Sequence, residues 1–259
     1  MDPDGPRVRA PGAPLGPALD PAPASPVPDP APAARWRPLP WLITLLVPFL
    51  VFGFTASRLT RALGLSAPVA ELSAEELLVR TAAVALPLIA GTLVLARLLL
   101  GARLADLGLG RPRVADLRYG LVFGGGLFLA SIAIGLVQAA AVGKEPQAVA
   151  QALQGHRGLT ALALDLLAVA IITPLAEELV FRGVLFGGLR QRLPFLAAGL
   201  LATLLFTLVH EPQAWPGVFV LGFGLTLAYE RTRTLWAPIA VHATVNGLPL
   251  LLLAAAGGG

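Results

Sequence analysis

Long apolar stretches separated by short polar ones run through most of this chain: Leu39 to Ser57, Thr81 to Leu100, Tyr119 to Val142, Leu159 to Leu189, Phe195 to Val209, Gly217 to Tyr229 and Leu235 to Ala256. A helix needs roughly 20 apolar residues to cross the hydrocarbon of a bilayer. The pattern therefore predicts an all-α polytopic transmembrane bundle of about seven helices, with a range of six to eight because two runs are short. Residues 1–38 are different. Thirteen of the 24 prolines lie in the first 40 residues, mixed with Ala, Gly and scattered charge, a composition that cannot sustain helical hydrogen bonds or a core. This segment is expected to be a disordered cytoplasmic tail ahead of a bundle over residues 39–256. The first apolar run begins only at Leu39, too late for a cleavable signal peptide, so it reads as a retained span.

Composition sharpens that picture. Apolar residues fill 56% of the 259 positions and charged residues 13%, with a mean hydropathy of +0.77, whereas soluble domains carry about a quarter charged residues. Lipid is thus the main solvent, and an integral membrane protein is expected. The 19 Lys and Arg against 15 Asp and Glu are too balanced and too scattered for nucleic-acid binding. Arginines instead flank the runs. Arg35 and Arg37, then Arg103, Arg111, Arg113 and Arg118, then Arg190, Arg192, Arg231 and Arg233 place those loops and the N terminus in the cytoplasm, with Glu71, Glu75 and Glu76 outside. The Ala, Arg, Pro and Gly bias suits a GC-rich bacterial genome, and hence a bacterial inner membrane. Trp36, Trp41, Trp215, Tyr229 and Trp236 fall at run ends and read as interfacial anchors. Without cysteine, thiol catalysis, disulfides and Cys-ligated metals are excluded.

The chemistry lies where polarity is least expected. The fourth run contains Pro174-Leu-Ala-Glu-Glu-Leu-Val-Phe-Arg-Gly183, and a charge at mid-bilayer costs roughly 2.5 to 3.5 kcal/mol even on the lowest scales. Glu178 stands four residues before Arg182, the favourable order for an ion pair on one helical face. Adjacent helical side chains diverge by about 100°, so Glu177 and Glu178 are expected to face different partners, Glu177 seeking its own on another helix. Three histidines are available. His156 sits in a polar loop with Gln154 and Arg157, reads as solvated, and is set aside; Asp165 is the only aspartate within the apolar runs. His210 ends Phe206-Thr-Leu-Val-His210. His242 and Asn246, four apart in the last run, present two hydrogen-bonding groups on one face, which suits a developing oxyanion. Gly183, Gly187 and Gly188 read as sites of close helix packing.

These motifs, Glu177-Glu178-x-x-x-Arg182, Phe206-x-x-x-His210 and His242-x-x-x-Asn246 with its Leu235-Trp-Ala-Pro-Ile lead-in, resemble the CAAX protease and bacteriocin-processing family of intramembrane glutamic endopeptidases. The resemblance covers about the last hundred residues, a protease core at about 158–256. It implies that Glu177 with His210 holds and deprotonates the attacking water, that His242 and Asn246 stabilise the oxyanion, and that Glu178 with Arg182 braces the site. No metal or cofactor is implied. The implied partners are a peptide or protein substrate, lipidated and membrane-anchored ones included, and the bilayer.

Competing readings remain at this level. Two histidines and two carboxylates could ligate zinc in a membrane protease, although no His-Glu-x-x-His occurs and Pro212 interrupts the helix after His210. Ser131 has neither a glycine partner nor a nearby base, and an aspartyl site needs a second acid beside Asp165. A proton relay in a transporter would go with inverted repeats, which the sequence does not show. A non-catalytic scaffold or bacteriocin-immunity protein could keep the same residues without turnover.

Overall fold

Helix ends in this chain follow from capping chemistry. The structure, a computed structural model, describes residues 36–143 and 148–257, so the expected tail lies outside the described residues up to position 35. Helix α1 (Pro38–Ala62) begins with proline in its first turn, where a missing N–H costs nothing. Helix α2 (Ala74–Leu100) starts at Ser73, whose hydroxyl accepts from the Glu76 amide while the Glu76 carboxylate accepts from the Ser73 amide. It stops at Gly101, whose φ of 65° is left-handed. Helix α3 (Val114–Val142) is followed by the short α4 (Ala148–Gly155), α5 (Gly158–Arg190), α6 (Phe195–Leu208), α7 (Trp215–Thr232) and α8 (Trp236–Gly257). All regular structure among the described residues is helical.

Among the described residues, four stretches are long and apolar enough to cross a membrane: Ala74–Leu100, Val114–Ala141, Gly158–Arg190 and Trp236–Ala256. Pro38–Val51 and Phe195–Leu208 are shorter apolar helices. Large apolar side chains such as Leu98, Val122, Leu136 and Val137 point outward, exposed positions that lipid would cover. The chain is an all-α integral membrane protein.

Helix α5 is not uniform. Ordinary α-turns at Gly158–Asp165, Thr173–Glu178 and Gly187–Arg190 alternate with wide π-turns at Leu166–Ile172 and Leu179–Phe186. Pro174 explains the first of these. Its ring collides with the carbonyl four residues back in a regular helix, and the wider turn, in which the Thr173 amide reaches the Ala168 carbonyl, makes room. The two π-turns bracket the single α-helical stretch that carries Glu177 and Glu178.

Glycine sets how closely the other helices approach. A Cβ on Gly120 would sit 2.2 Å from the Ala240 methyl, and one on Gly124 would sit 2.8 Å from Thr244 Cβ, so α3 and α8 cross at a four-residue glycine spacing. On the other flank Gly188 receives the Trp41 indole, whose Nε1–H donates to the Val184 carbonyl at 2.9 Å. Trp41, Trp36 and Tyr229 are therefore buried packing residues, and their reading as interfacial anchors is corrected: each ring lies against another helix instead of the headgroup layer. Gly183, Gly187 and Gly188 do admit close neighbours, Leu235, Trp36 and Trp41 respectively. The main core gathers around α5, with Leu179, Phe181, Val184 and Phe186 meeting Trp41 and Phe206.

Candidate active site

The polar cluster is built outward from the second π-turn of α5. Glu178 and Arg182 form an ion pair at 3.0 Å with both side chains excluded from solvent, 0% and 1% exposed. A bare pair at such depth would be costly. Further contacts support its cation: Arg182 Nη2 donates to the Gly222 carbonyl on α7 at 2.9 Å, and its guanidinium lies 4.4 Å from the centre of the Phe206 ring on α6. Gly222 has to be glycine here, since a Cβ would stand 2.9 Å from the Phe206 ring edge.

His242 joins this pair from α8. Its Nδ1 lies 2.9 Å from the same Glu178 Oε1 that Arg182 bonds, and its Nε2 lies 3.8 Å from Glu177 Oε2. The two glutamates thus do share a partner, contrary to the expectation from their 100° divergence. The physical reason is the shape of imidazole: its two nitrogens point in different directions from one flat ring, so a ring wedged between divergent side chains meets both. Glu178 is sealed, whereas Glu177 keeps 25% of its side-chain surface exposed. Of the two, Glu177 is the one that solvent can reach.

His210 approaches the cluster through Phe206. Its Nδ1–H donates to the Phe206 carbonyl at 2.7 Å, one turn back, which leaves Nε2 outside that bond. The His210 and His242 rings pack on the Phe206 ring with centroids 4.6 and 6.2 Å away. Among the described residues, the ion-pair contact of Glu177 is with His242 and not with His210. Asn246 lies one turn along α8 from His242 but points its amide elsewhere: Nδ2 donates to the Val169 carbonyl in the first π-turn at 3.1 Å. Glu177, Glu178, Arg182 and His242 are therefore in contact, His210 is linked to them through an aromatic ring, and Asn246 through the backbone of α5.

Sequence reasoning missed three contributors. The Gly222 carbonyl left no signal, since backbone groups carry no residue code. Phe206 was visible only as part of a motif. The third is a second histidine–carboxylate pair, and the reading of His156 is corrected by it. His156 is not solvated: its Nδ1 lies 2.9 and 3.0 Å from the two Asp165 oxygens, and its Nε2–H donates to the Leu72 carbonyl at 2.8 Å. Both side chains are buried. The desolvation cost that singled out Glu177 applies equally to Asp165, and that argument, used evenly, would have demanded the partner.

Similarity to known proteins falls on this same part of the chain. Residues 159–248 match the family model described as Type II CAAX prenyl endopeptidase Rce1-like, a span that contains Glu177, Glu178, Arg182, His210, His242 and Asn246. A candidate membrane peptidase of Bacillus subtilis (strain 168), YdiL, is 30% identical over 95 residues, 36% of this chain and 39% of the relative. The membrane-embedded CAAX protease MroQ of Staphylococcus aureus (strain USA300) is 37% identical over 90 residues, 32% of this chain and 36% of the relative. The chain thus spans well under half the length of these curated relatives. No solved structure matches it at a significant level.

Proposed function

Over residues 159–248 the chain belongs to the CAAX protease and bacteriocin-processing family, and on that premise we propose that it is an intramembrane endopeptidase in which glutamate and histidine activate water. The observation that carries this reading is His242 held by Glu178 on one nitrogen while the other faces the partly exposed Glu177 at 3.8 Å. That gap is too long for a direct hydrogen bond but lets one water bond both groups at about 2.8 Å.

In the proposed reaction Glu177 takes a proton from that water as its oxygen adds to the scissile carbonyl carbon. The Nε2 lone pair of His210 orients the water. The developing oxyanion is met by His242, carrying protons on both nitrogens, with Asn246 nearby on the same helix. In that form the charges of Glu177, Glu178, Arg182 and His242 sum to zero, the balance a site shielded from water requires. Glu177 then returns its proton to the departing amine, and Glu178 with Arg182 keeps His242 in place throughout. No metal or cofactor takes part, so chelators are expected to leave turnover intact.

The substrate class follows from the setting. A peptide or protein anchored in the membrane, lipidated ones included, can reach Glu177 by lateral diffusion. A shallow apolar recess of about 620 Å³ between α2 and α5, lined by Leu78, Ala82, Leu86, Leu167 and Ile172, offers room for an apolar anchor on the helix that carries Glu177. We place the protein in the bacterial inner membrane with its N terminus cytoplasmic, on the arginine distribution. The decisive experiment uses the purified full chain and a quenched fluorogenic peptide ending in a prenylated CAAX tail. Glu177→Gln should abolish cleavage without altering expression or melting temperature; unchanged cleavage would end the proposal.

A further inference from the structure

Asn246 has a second task that its motif does not disclose. In the first π-turn of α5 the Thr173 amide bonds the Ala168 carbonyl, five residues back. The next acceptor up the helix is the Val169 carbonyl, and the residue due to donate to it is Pro174, which has no N–H. If the helix instead reverts to four-residue spacing at that point, Val169 is the carbonyl skipped at the change of register. In both cases it loses its intrahelical donor, inside a span where no bulk water can substitute. The donor it does have is Asn246 Nδ2, at 3.1 Å, from a helix 77 positions away in sequence.

The neighbourhood is shaped for this bond. Gly247, the next residue on α8, is buried, and a Cβ there would already be in contact with the Ala170 methyl at 3.5 Å, so α8 lies flush against the π-turn. Ala168 and Ala170, on α5, are likewise small and buried. The second π-turn is tied in a parallel way, by Trp41 Nε1 to the Val184 carbonyl. Outside side chains hold both irregular turns, and the glutamates lie between them.

We propose that Asn246 is a positioning residue that supplies the hydrogen bond Pro174 cannot, locking the π-turn that aims Glu177 and Glu178 at His242. The catalytic consequence rests on the peptidase reading above; the bond itself does not. The same bond fixes the relative rotation of α5 and α8, so one amide registers both halves of the cluster.

A double-mutant cycle tests this, because Pro174→Ala restores the missing N–H. Four purified full-length proteins (unaltered, Asn246→Ala, Pro174→Ala and the double variant) are compared in detergent by melting temperature and by kcat and KM on the fluorogenic prenylated peptide. Asn246→Ala is expected to lower the melting temperature and to lower kcat at least about tenfold with KM little changed. In the Pro174→Ala background the same substitution should leave melting nearly unmoved and cost at least about threefold less in kcat, the remainder being its part at the oxyanion. Equal losses in both backgrounds would overturn the proposal and leave Asn246 as a direct oxyanion donor. Should Asn246→Ala fail to accumulate alone, recovery of folded protein on adding Pro174→Ala is the expected coupling, and no recovery overturns it. If the unaltered protein cleaves nothing, the peptidase reading fails while the melting cycle still decides the bond.

Discussion

Helix α5 carries the carboxylates of two histidine–carboxylate pairs of the same length, 2.9 Å, Asp165 and Glu178, thirteen residues apart, and the two rings are bound differently. At His156 both nitrogens are committed, one to Asp165 and one to the Leu72 carbonyl, so the ring clamps the start of α5 to the segment before α2 and has nothing left to offer a substrate. At His242 only Nδ1 is committed, and Nε2 faces a carboxylate that solvent can reach. Contact between a histidine and an acid therefore says little about chemistry. A ring nitrogen left free beside an accessible base says a great deal, because proton transfer needs a group that is held but not saturated.

The largest effect that could break this contrast is at Glu177. Glu177→Gln should cut turnover by about 10²- to 10⁴-fold, the range a positioned general base contributes, with melting unchanged; a loss below tenfold would make the two pairs functionally alike. Next comes Arg182→Met, which leaves the buried Glu178 with His242 as its one remaining partner among the described contacts. It should cost about 3 to 5 kcal/mol in stability, the usual result of removing one partner from a buried pair, read by chemical unfolding in detergent. A loss under about 1 kcal/mol would show that Glu178 has other support.

His156→Ala is expected to act the other way round. Turnover should stay within about threefold, while stability falls by about 1 to 3 kcal/mol because the buried Asp165 carboxylate loses its hydrogen bond. A loss of activity without a loss of stability would move the second pair into the catalytic machinery. The smallest effect is on pH dependence. Burial disfavours the charged His156 ring, but the Leu72 carbonyl, the Asp165 carboxylate and nearby Glu75 together outweigh it and hold the imidazole above its ordinary value. A raised folded value means that its stabilisation is complete below about pH 6.5 and is lost as pH rises through the folded value. The melting temperature of the unaltered protein should fall over that window relative to His156→Gln, and a constant difference across it would contradict the clamp.

Much of the bundle was legible in one dimension. The seven apolar runs became helices near their expected positions, and the acid–base spacing of Glu178 and Arg182 became the ion pair it suggested. Both are local matters: hydrophobic runs and i,i+4 spacings depend on residues a turn or two apart. Legibility failed wherever one helix had to be placed against another. Trp41 belongs to the π-turn it bonds, and His156 belongs to Asp165 across a loop.

Sequence alone determined that this chain lives in lipid and which rare polar side chains its helices must accommodate, since burying charge is expensive wherever it occurs. Only the tertiary structure decided that His242 wedges between Glu177 and Glu178, that Gly222 and Phe206 hold Arg182, and that Asn246 reaches the carbonyl above Pro174. Those outcomes depend on helix rotation and crossing distance, which are set by glycine contacts and a proline-induced change of helical register, and neither is encoded in the spacing of the polar residues themselves.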